Sequence, residues 1–115
     1  NIVGEVKGRN VLIVDDLIDT AGTFTSAVTT LKEAGAKDVY GACTHPILSG
    51  KALERINNSD ISKLLVTDSM QLKQTSSKIE VMSVAKIFAE AIRRSFDNKS
   101  ISSLFDVDKD KTQDD

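Results

Sequence analysis

Short apolar runs recur along the chain and predict the strands of a sheet. Val11–Val14 is apolar at every position, which is typical of a strand buried on both faces, as in a parallel sheet. Val39–Cys43 predicts another strand and Leu64–Val66 a third, buried one. Ile79–Met82 predicts a fourth strand that is more exposed than the others.

Between these runs the hydrophobic spacing changes to that of helices. A first helix is predicted from Thr23, and Gly35 is placed to end it. Lys51–Asn57 predicts a short second helix, and apolar spacing beyond Val84 predicts a third. The predicted apolar faces consist of Phe24, Ala27, Val28 and Leu31 in the first helix, Ala52, Leu53 and Ile56 in the second, and Val84, Ile87, Phe88, Ala91 and Ile92 in the third.

The order of these elements predicts an α/β fold. Alternating strands and helices imply right-handed crossovers, and therefore a parallel sheet flanked by helices. Before the first strand, Ile2–Val6 alternates apolar and polar residues, and residues 7–10 predict a turn. We expect residues 1–105 to form one domain, incomplete at its amino terminus, and residues 106–115 to form an acidic, disordered tail.

The composition argues against several classes of function. The chain has 115 residues, 40% of them hydrophobic, which suffices for one small core. The net charge is −2, of which the last ten residues contribute −3 through five Asp and two Lys, so the remainder carries about +1. This balance does not favour nucleic acid or an acidic membrane surface as a partner. No apolar run approaches the roughly 18 residues of a membrane span.

Cys43 is the only cysteine and His45 the only histidine. One cysteine allows no internal disulfide and no cysteine-based zinc site, which favours a reducing, cytoplasmic location. Cys43 falls in a predicted strand, so we expect a core role. A lone histidine is more often structural than a metal ligand, although it can titrate. The chain begins at Asn1 rather than at Met, which suggests a piece of a longer protein.

The segment from Val11 to Thr23, VLIVDDLIDTAGT, carries the most chemistry. A strand ends in Asp15 and Asp16, and a short loop leads into a helix. In open α/β sheets, ligands bind at the carboxyl ends of the strands. A helix start presents unpaired N–H groups and the positive end of the helix dipole, and small residues allow close approach. Together with two threonine hydroxyls, these groups predict a phosphate cradle without Lys or Arg.

The acidic pair before the loop predicts a different contact. Carboxylates repel a phosphate, but they accept hydrogen bonds from sugar hydroxyls or hold Mg²⁺ through water. The whole string therefore predicts a phosphosugar site. The alternative is purely structural, since threonine before a helix is often an N-cap and aspartate at a strand end is often a turn residue. Any one of these residues alone fits that alternative; the complete string after an apolar strand favours the site.

The same string resembles the phosphoribosyl pyrophosphate motif of the type I phosphoribosyltransferase superfamily. In the form Asp-Asp, two apolar residues, then Asp-Thr-small-Gly-Thr, it is similar to ribose-phosphate pyrophosphokinases. The resemblance extends from Val3 to Phe105. It includes Thr44–Gly50, Glu54–Ser59, Val66–Ser69, Ala89–Arg94 and Ser100–Phe105, where Ser103 replaces the family's tyrosine.

This resemblance implies an activity and a set of site residues. The family transfers the diphosphoryl group of ATP to the C1 hydroxyl of ribose 5-phosphate, giving phosphoribosyl pyrophosphate and AMP, with Mg²⁺. Substrate-binding positions would be Asp15 and Asp16 for the ribose hydroxyls, and Asp19, Thr20, Ala21, Gly22 and Thr23 for the 5-phosphate. Ser100, Ser102 and Phe105 fall on positions of a regulatory site that lies between subunits, and the family's assembly implies a homohexamer.

The chain lacks other parts that this reaction needs. It has no G-x-x-x-x-G-K-[ST] loop and no basic residue near the phosphosugar loop in sequence. By resemblance, the ATP site and the main Mg²⁺ ligands lie upstream, so we expect this piece alone to be inactive. Two alternatives remain, a type I phosphoribosyltransferase and a non-catalytic regulatory subunit associated with the pyrophosphokinase. Residues 44–59 and the ending at 100–105 argue against the first, and the intact acidic and phosphate motifs argue against the second.

Overall fold

The computed structural model describes residues 4–105, except for the side chain of Phe105. The described residues divide after Ser83 into two compact units. The first unit contains β1 (Val11–Ile18), α1 (Gly22–Glu33), β2 (Val39–Pro46), α2 (Ala52–Asn58), β3 (Lys63–Thr67) and β4 (Ile79–Met82). The second contains α3 (Ala85–Phe96) and a 3₁₀ turn, Ser102–Phe105.

The four strands form one parallel sheet in the order β1-β2-β3-β4. The predicted α/β fold with a parallel sheet and flanking helices is thus confirmed. Each of the first three strands lies beside its successor in the chain. Right-handed crossovers between such neighbours place both connecting helices, α1 and α2, on the same face of the sheet.

The hydrophobic core of the first unit lies between that face and the two helices. Its fully buried members come from every layer: Val28 in α1, Val39 in β2, Ala52 and Ile56 in α2, and Leu64 in β3 are each 0% exposed. In the strands, buried positions alternate with more exposed ones, as a sheet covered on one face requires.

Burial of β1 on both faces was predicted and is wrong within the described residues. Leu12 is 60% exposed and Val14 is 73% exposed. Their register partners Tyr40 and Ala42 lie on the same face of the sheet. Because both crossover helices of the first unit lie on the opposite face, no helix of that unit covers these side chains.

The first three strands are longer than the apolar runs that predicted them. β1 continues past Val14 to Ile18, so Asp15 and Asp16 lie within the strand and not after it. The ladder with β2 continues through this polar stretch, with Asp15 opposite Cys43 and Ile18 opposite Pro46. Backbone pairing with an adjacent strand thus overrides the low strand preference of aspartate.

The end of α1 agrees with its prediction. Gly35 adopts a left-handed conformation, with φ of 95°. Its N–H donates to the Lys32 carbonyl at 3.0 Å, and the Ala36 N–H donates to the Leu31 carbonyl at 3.1 Å. This is the Schellman arrangement, in which glycine after the helix satisfies the last carbonyl groups.

Two other predicted helices form with small changes of boundary. α2 begins one residue later than predicted, with Ala52 and Ile56 buried and Leu53 half-buried. α3 forms over the predicted apolar spacing, but none of its residues is buried, and Ile92 is 70% exposed. Hydrogen bonds from Arg94 and Arg93 lower the pKa of Glu90 on this helix.

The predictions for the two chain ends are only partly open to comparison. The turn around Lys7 and Gly8 is present, while the described residues before β1 form no strand. Residues 2 and 3 of the alternating segment and the predicted tail at residues 106–115 lie outside the described residues. Within the described part of the chain, no helix has the length and apolar character needed to span a bilayer.

Cys43 lies in the core, as predicted, and is 3% exposed. Burial raises the pKa of its thiol above the usual value, and the negative charges of Asp15 and Asp16 act in the same direction. The thiol therefore stays protonated at neutral pH and behaves as a small apolar group.

Gly41 allows α1 to rest directly on the sheet. A methyl group at this position would lie 2.6 Å from Cζ of Phe24 and 2.9 Å from Cδ1 of Leu64. Phe24 is 5% exposed and belongs to the first turns of α1. Its contact with Gly41 therefore fixes the height of the helix start, and of the loop before it, above the sheet.

We expect Gly41→Ala to destabilise the fold by about 1–3 kcal/mol, because Phe24 and Leu64 must move to make room. Urea denaturation measures this change. Ala42→Val is the matched control, since it adds volume on the face opposite α1 and α2 and should change stability by less than about 0.5 kcal/mol. Equal effects of the two substitutions would contradict the packing described for Gly41.

Candidate functional site

A depression of about 230 Å³ lies at the carboxyl end of β1. It is lined by Asp15 and by residues 17–24, which include the whole predicted phosphate loop. Asp19 and Thr20 connect the strand to the helix, Ala21 is the N-cap residue, and Gly22 and Thr23 begin α1. The structure therefore brings Asp15 together with the residues predicted to bind the 5-phosphate.

The backbone of the loop has the form of an anion-binding concavity. Ala21 adopts a left-handed conformation, with φ of 64° and ψ of 10°, and Gly22 immediately starts the right-handed helix. Successive residues of opposite handedness direct neighbouring N–H groups into one concave surface. A left-handed conformation costs about 1–2 kcal/mol for a residue other than glycine. Strain of this kind tends to occur at functional sites.

The carbonyl groups of the loop are hydrogen-bonded to the segment that joins β2 to α2 and to α2 itself. The Ile18 carbonyl accepts from the Leu48 N–H at 3.2 Å, and the Asp19 carbonyl accepts from the Ser49 N–H at 2.9 Å. The Thr20 carbonyl accepts from Nη1 of Arg55 at 2.8 Å. Three consecutive carbonyls therefore point to one side of the loop.

The N–H groups of the loop point to the other side. In a planar trans peptide the N–H and C=O bonds have opposite directions, so the N–H groups of Asp19, Thr20 and Ala21 point away from the β2–α2 segment. Within residues 4–105, the backbone N–H groups of residues 19–23 donate to no protein acceptor. Neither Leu48, Ser49 nor Arg55 lines the depression. The open donors and the depression are thus on the same side.

The threonine hydroxyls are not used to cap the helix. The N-cap position of α1 is Ala21, and no side chain caps the helix start by a hydrogen bond. Thr20 and Thr23 are both exposed. The structural alternative, in which these threonines serve as ordinary N-caps, therefore does not apply here.

The carboxylates near the loop have different surroundings. Asp15 lines the depression, whereas Asp16, the next residue of the strand, does not. Both are exposed. Asp19 is engaged elsewhere, since its Oδ1 accepts a hydrogen bond from the Ser49 hydroxyl. The two strand carboxylates therefore differ in how closely they approach the predicted phosphate loop.

The described residues do not form a metal centre by themselves. No group of three or more His, Cys, Asp or Glu side chains within residues 4–105 is arranged to hold a metal. Mg²⁺ prefers octahedral coordination by carboxylates, phosphates and water. Asp15 and Asp16 on successive strand positions supply at most water-mediated contacts from this part of the chain, so we assign no metal-dependent step to them.

His45 lies at the carboxyl end of β2, opposite Leu17 of β1. Its Nδ1 is 3.0 Å from the Ser69 hydroxyl oxygen, and that hydroxyl donates to the Thr44 carbonyl at 2.9 Å. The two side chains are therefore within hydrogen-bond distance, and Nδ1 of His45 donates in this contact when it carries the ring proton. The imidazole thus links the ends of β2 and β3.

Arg55 and Ser49 contact the loop, and sequence reasoning assigned a role to neither. No Lys or Arg lies near the loop in sequence, yet the Arg55 guanidinium reaches it from 35 residues away. The resemblance included both residues within longer matching segments. Only the spatial proximity of the β2–α2 segment to the β1–α1 loop identifies their role. The only feature of the sequence that could have indicated this contact is the predicted parallel sheet, because loops that follow neighbouring parallel strands lie side by side.

The predicted regulatory positions belong to the second unit and are described separately. The hydroxyl oxygens of Ser100 and Ser102 are 2.7 Å apart. Arg94 donates to the Ser103 hydroxyl and to the Ser100 carbonyl, the latter at 3.4 Å. Phe105 ends the 3₁₀ turn, and its side chain lies outside the described residues. Ser100 and Ser102 are therefore close together in space. A regulatory role for Ser100, Ser102 and Phe105 stays a prediction.

The fold and the loop together define an α/β protein with a concave loop of open backbone N–H groups at the carboxyl ends of the strands of a parallel sheet. A family model described as "Phosphoribosyl synthetase-associated domain" matches residues 1–106. The ribose-phosphate pyrophosphokinase of Chlorobaculum tepidum is 54% identical over 107 residues, covering 92% of this chain and 33% of that protein. The enzyme of the same name from Staphylococcus saprophyticus is 55% identical over 108 residues, covering 92% and 34%.

A solved structure shows the same relationship. The crystal structure of phosphoribosylpyrophosphate synthetase from Mycobacterium smegmatis matches with a TM-score of 0.79 and 39% identity, covering 84% of this chain and 33% of that one. The chain belongs to the ribose-phosphate pyrophosphokinase family, as the resemblance predicted. It spans about a third of the length of the relatives it matches.

Gly22 offers a test of whether the loop is shaped for a ligand. A methyl group at this position would meet only Nη1 of Arg55 within 4 Å, at 3.9 Å, so packing among the described residues does not require glycine there. We expect Gly22→Ala to leave the melting temperature unchanged or raise it, because alanine is favoured in a helix by up to about 1 kcal/mol.

If the loop binds the 5-phosphate, as the resemblance implies, the same substitution should weaken binding of ribose 5-phosphate, because the methyl group adds bulk next to the Gly22 N–H, one of the predicted donors. Isothermal titration calorimetry on the natural full-length protein measures this affinity. Unchanged affinity in the Gly22→Ala variant would show that glycine serves no ligand at this position.

Proposed function

We propose that this chain is the ribose 5-phosphate-binding part of a ribose-phosphate pyrophosphokinase. In this proposal the amides of Asp19, Thr20, Ala21, Gly22 and Thr23 bind the 5-phosphate, and Asp15 and Asp16 accept hydrogen bonds from the ribose hydroxyls. The observation that carries it is the loop backbone, in which three carbonyls are bound on one side and the N–H groups are open on the other. Such a backbone suits an anion, because a bound anion would accept hydrogen bonds from N–H groups that have no protein acceptor.

The open amides supply binding without a strong positive charge. Backbone N–H donors at a helix start, together with the helix dipole, stabilise a dianionic phosphate. The Thr20 and Thr23 hydroxyls supply further donors at the same surface. Asp15 lines the same depression and is exposed, so it can accept hydrogen bonds from a sugar whose phosphate occupies the loop.

The reaction then depends on holding the sugar in one orientation. The C1 hydroxyl oxygen forms a bond to the β-phosphorus of ATP, and the bond from that phosphorus to the bridging oxygen of the α-phosphate breaks, so AMP leaves. The hydroxyl gives up its proton as phosphoribosyl pyrophosphate forms. A sugar fixed at both its phosphate and its hydroxyls presents C1 in line with the nucleotide, and such positioning can lower a barrier by several kcal/mol.

The rest of the proposed enzyme lies outside this chain. The residues that bind ATP and the principal Mg²⁺ ligands belong to the other two thirds of the protein. The 115-residue chain alone is inactive in this proposal. The enzyme acts in the cytoplasm as a homo-oligomer, a hexamer by resemblance. The intact acidic pair and loop favour a catalytic chain over a non-catalytic associated subunit, and the high identity to named pyrophosphokinases favours it over a phosphoribosyltransferase.

Asp15→Asn in the full-length protein should impair use of the sugar far more than use of ATP. A hydrogen bond to a charged acceptor contributes about 1.5–3 kcal/mol, so kcat/KM for ribose 5-phosphate should fall about tenfold to a hundredfold. Asp16→Asn should act in the same direction with an effect no larger, since Asp16 does not line the depression. Steady-state kinetics with each substrate varied in turn makes the comparison.

Asp60→Asn is the control, because this exposed carboxylate precedes β3 and therefore lies toward the amino ends of the strands, whereas the loop lies at their carboxyl ends. It should leave both substrates unaffected. If neither Asp15→Asn nor Asp16→Asn changes the kinetics of the sugar while both variants keep the wild-type melting temperature, the role proposed for the acidic pair is wrong.

A further inference from the structure

Three backbone carbonyls before α1 are held by a segment that follows β2, and one of the three contacts comes from a side chain. Nη1 of Arg55, in the last turn of the short helix α2, donates to the Thr20 carbonyl at 2.8 Å. The other two contacts, from Leu48 and Ser49, are made by backbone N–H groups. Arg55 is therefore the contact that a substitution can remove without altering the backbone.

The peptide that Arg55 holds is the central one of the loop. Its carbonyl belongs to Thr20 and its N–H to Ala21, the residue with the left-handed conformation. Since the two groups of one peptide point in opposite directions, holding the carbonyl fixes the direction of the Ala21 N–H. Without Arg55 this peptide can rotate, and rotation would relieve the strain at Ala21 while turning its N–H away from the depression.

We propose that Arg55 is a positioning residue for the phosphate loop, which it holds from behind in the conformation that binds the 5-phosphate. This inference rests on the proposed function for the identity of the ligand. Arg55 does not line the depression and so acts through the Thr20–Ala21 peptide and not by contact with the phosphate. Ser49 assists through its hydroxyl, which donates to the Asp19 carboxylate on the same side of the loop.

A second role of the Arg55 contact is to neutralise partial charge. A guanidinium that binds the Thr20 carbonyl balances the negative end of that peptide dipole, and this leaves the positive N–H end to face the ligand. With a neutral side chain of similar length at position 55, the Thr20 carbonyl would be hydrogen-bonded to water instead, and the Thr20–Ala21 peptide would be free to rotate. Lysine keeps the charge but lacks the planar fork of arginine, so it should restore the function only in part.

The test compares Arg55→Met with Lys51→Met in the full-length protein. Both substitutions remove one positive charge beside the same groove between α1 and α2. Lys51 makes no side-chain hydrogen bond to the loop among the described residues, so only the Arg55 substitution releases the Thr20 carbonyl. Arg55→Lys is the conservative variant, and the melting temperature of each protein is measured alongside.

The first readout is affinity for ribose 5-phosphate by calorimetry, together with steady-state kinetics. The bond that Arg55→Met removes is made to the loop and not to the ligand, so only part of its free energy affects binding, and the affinity should be about threefold to tenfold weaker. KM for the sugar should rise by the same factor, while KM for ATP stays at the wild-type value. Arg55→Lys should lie between wild type and Arg55→Met, and Lys51→Met should match wild type.

The second readout requires no ligand. The N–H groups of Leu48 and Ser49 are protected by the loop carbonyls, so their hydrogen exchange reports whether the loop is held against the β2–α2 segment. Exchange at residues 47–50 should be faster in Arg55→Met than in wild type, and unchanged in Lys51→Met.

The two readouts separate failure of this inference from failure of the proposed function. If wild type does not bind ribose 5-phosphate at the loop, the proposed function fails, and the exchange rates still decide whether Arg55 holds the loop. If Arg55→Met and Lys51→Met weaken binding equally, the effect is general electrostatics and the positioning role is overturned. Wild-type exchange and wild-type affinity in Arg55→Met would overturn it as well.

Discussion

The site depends on the hydrogen bonds that hold the carbonyls of Ile18, Asp19 and Thr20 on one side of the loop. Peptide geometry converts this anchoring into a row of N–H donors on the opposite side. The donors come from the backbone, so their position is set by the fold. In the proposed function, a few residues that do not contact the ligand therefore decide whether a phosphate is bound.

The packing of α1 on the sheet gives the loop its second point of support. Gly41 leaves room for Phe24 to lie against β2, and this contact fixes the start of the helix. The loop is thus anchored at its carbonyls by the β2–α2 segment and at its helical end by Phe24. Both supports come from β2 and the residues after it, so the neighbouring strand shapes the site as much as the strand that carries it.

Much of this structure follows from local patterns in the sequence. Helical spacing located α1, α2 and α3, and Gly35 marked a helix end, because each signal depends on residues close together in the chain. The strand ends were misjudged at Asp15 and Asp16, where pairing with β2 extends β1 through a polar stretch. Burial of Leu12 and Val14 was also misjudged, since composition does not report which face the crossover helices cover.

The residues of the candidate site could be proposed from the sequence, but their geometry could not. The string from Asp15 to Thr23 indicated a phosphosugar site because each residue type has a chemical reason to be there. The left-handed Ala21 and the anchoring by Arg55 depend on contacts between segments 35 residues apart. Such contacts leave no periodic signal in one sequence, so the support of the loop became visible only in three dimensions.

The most direct test of this account is a crystal structure of the full-length protein with ribose 5-phosphate bound. The account predicts phosphate oxygens about 2.7–3.2 Å from the backbone nitrogens of Thr20, Ala21, Gly22 and Thr23, with the Thr20 carbonyl still bound to Arg55. A phosphate bound elsewhere, with these amides facing water at saturating ligand, would contradict it.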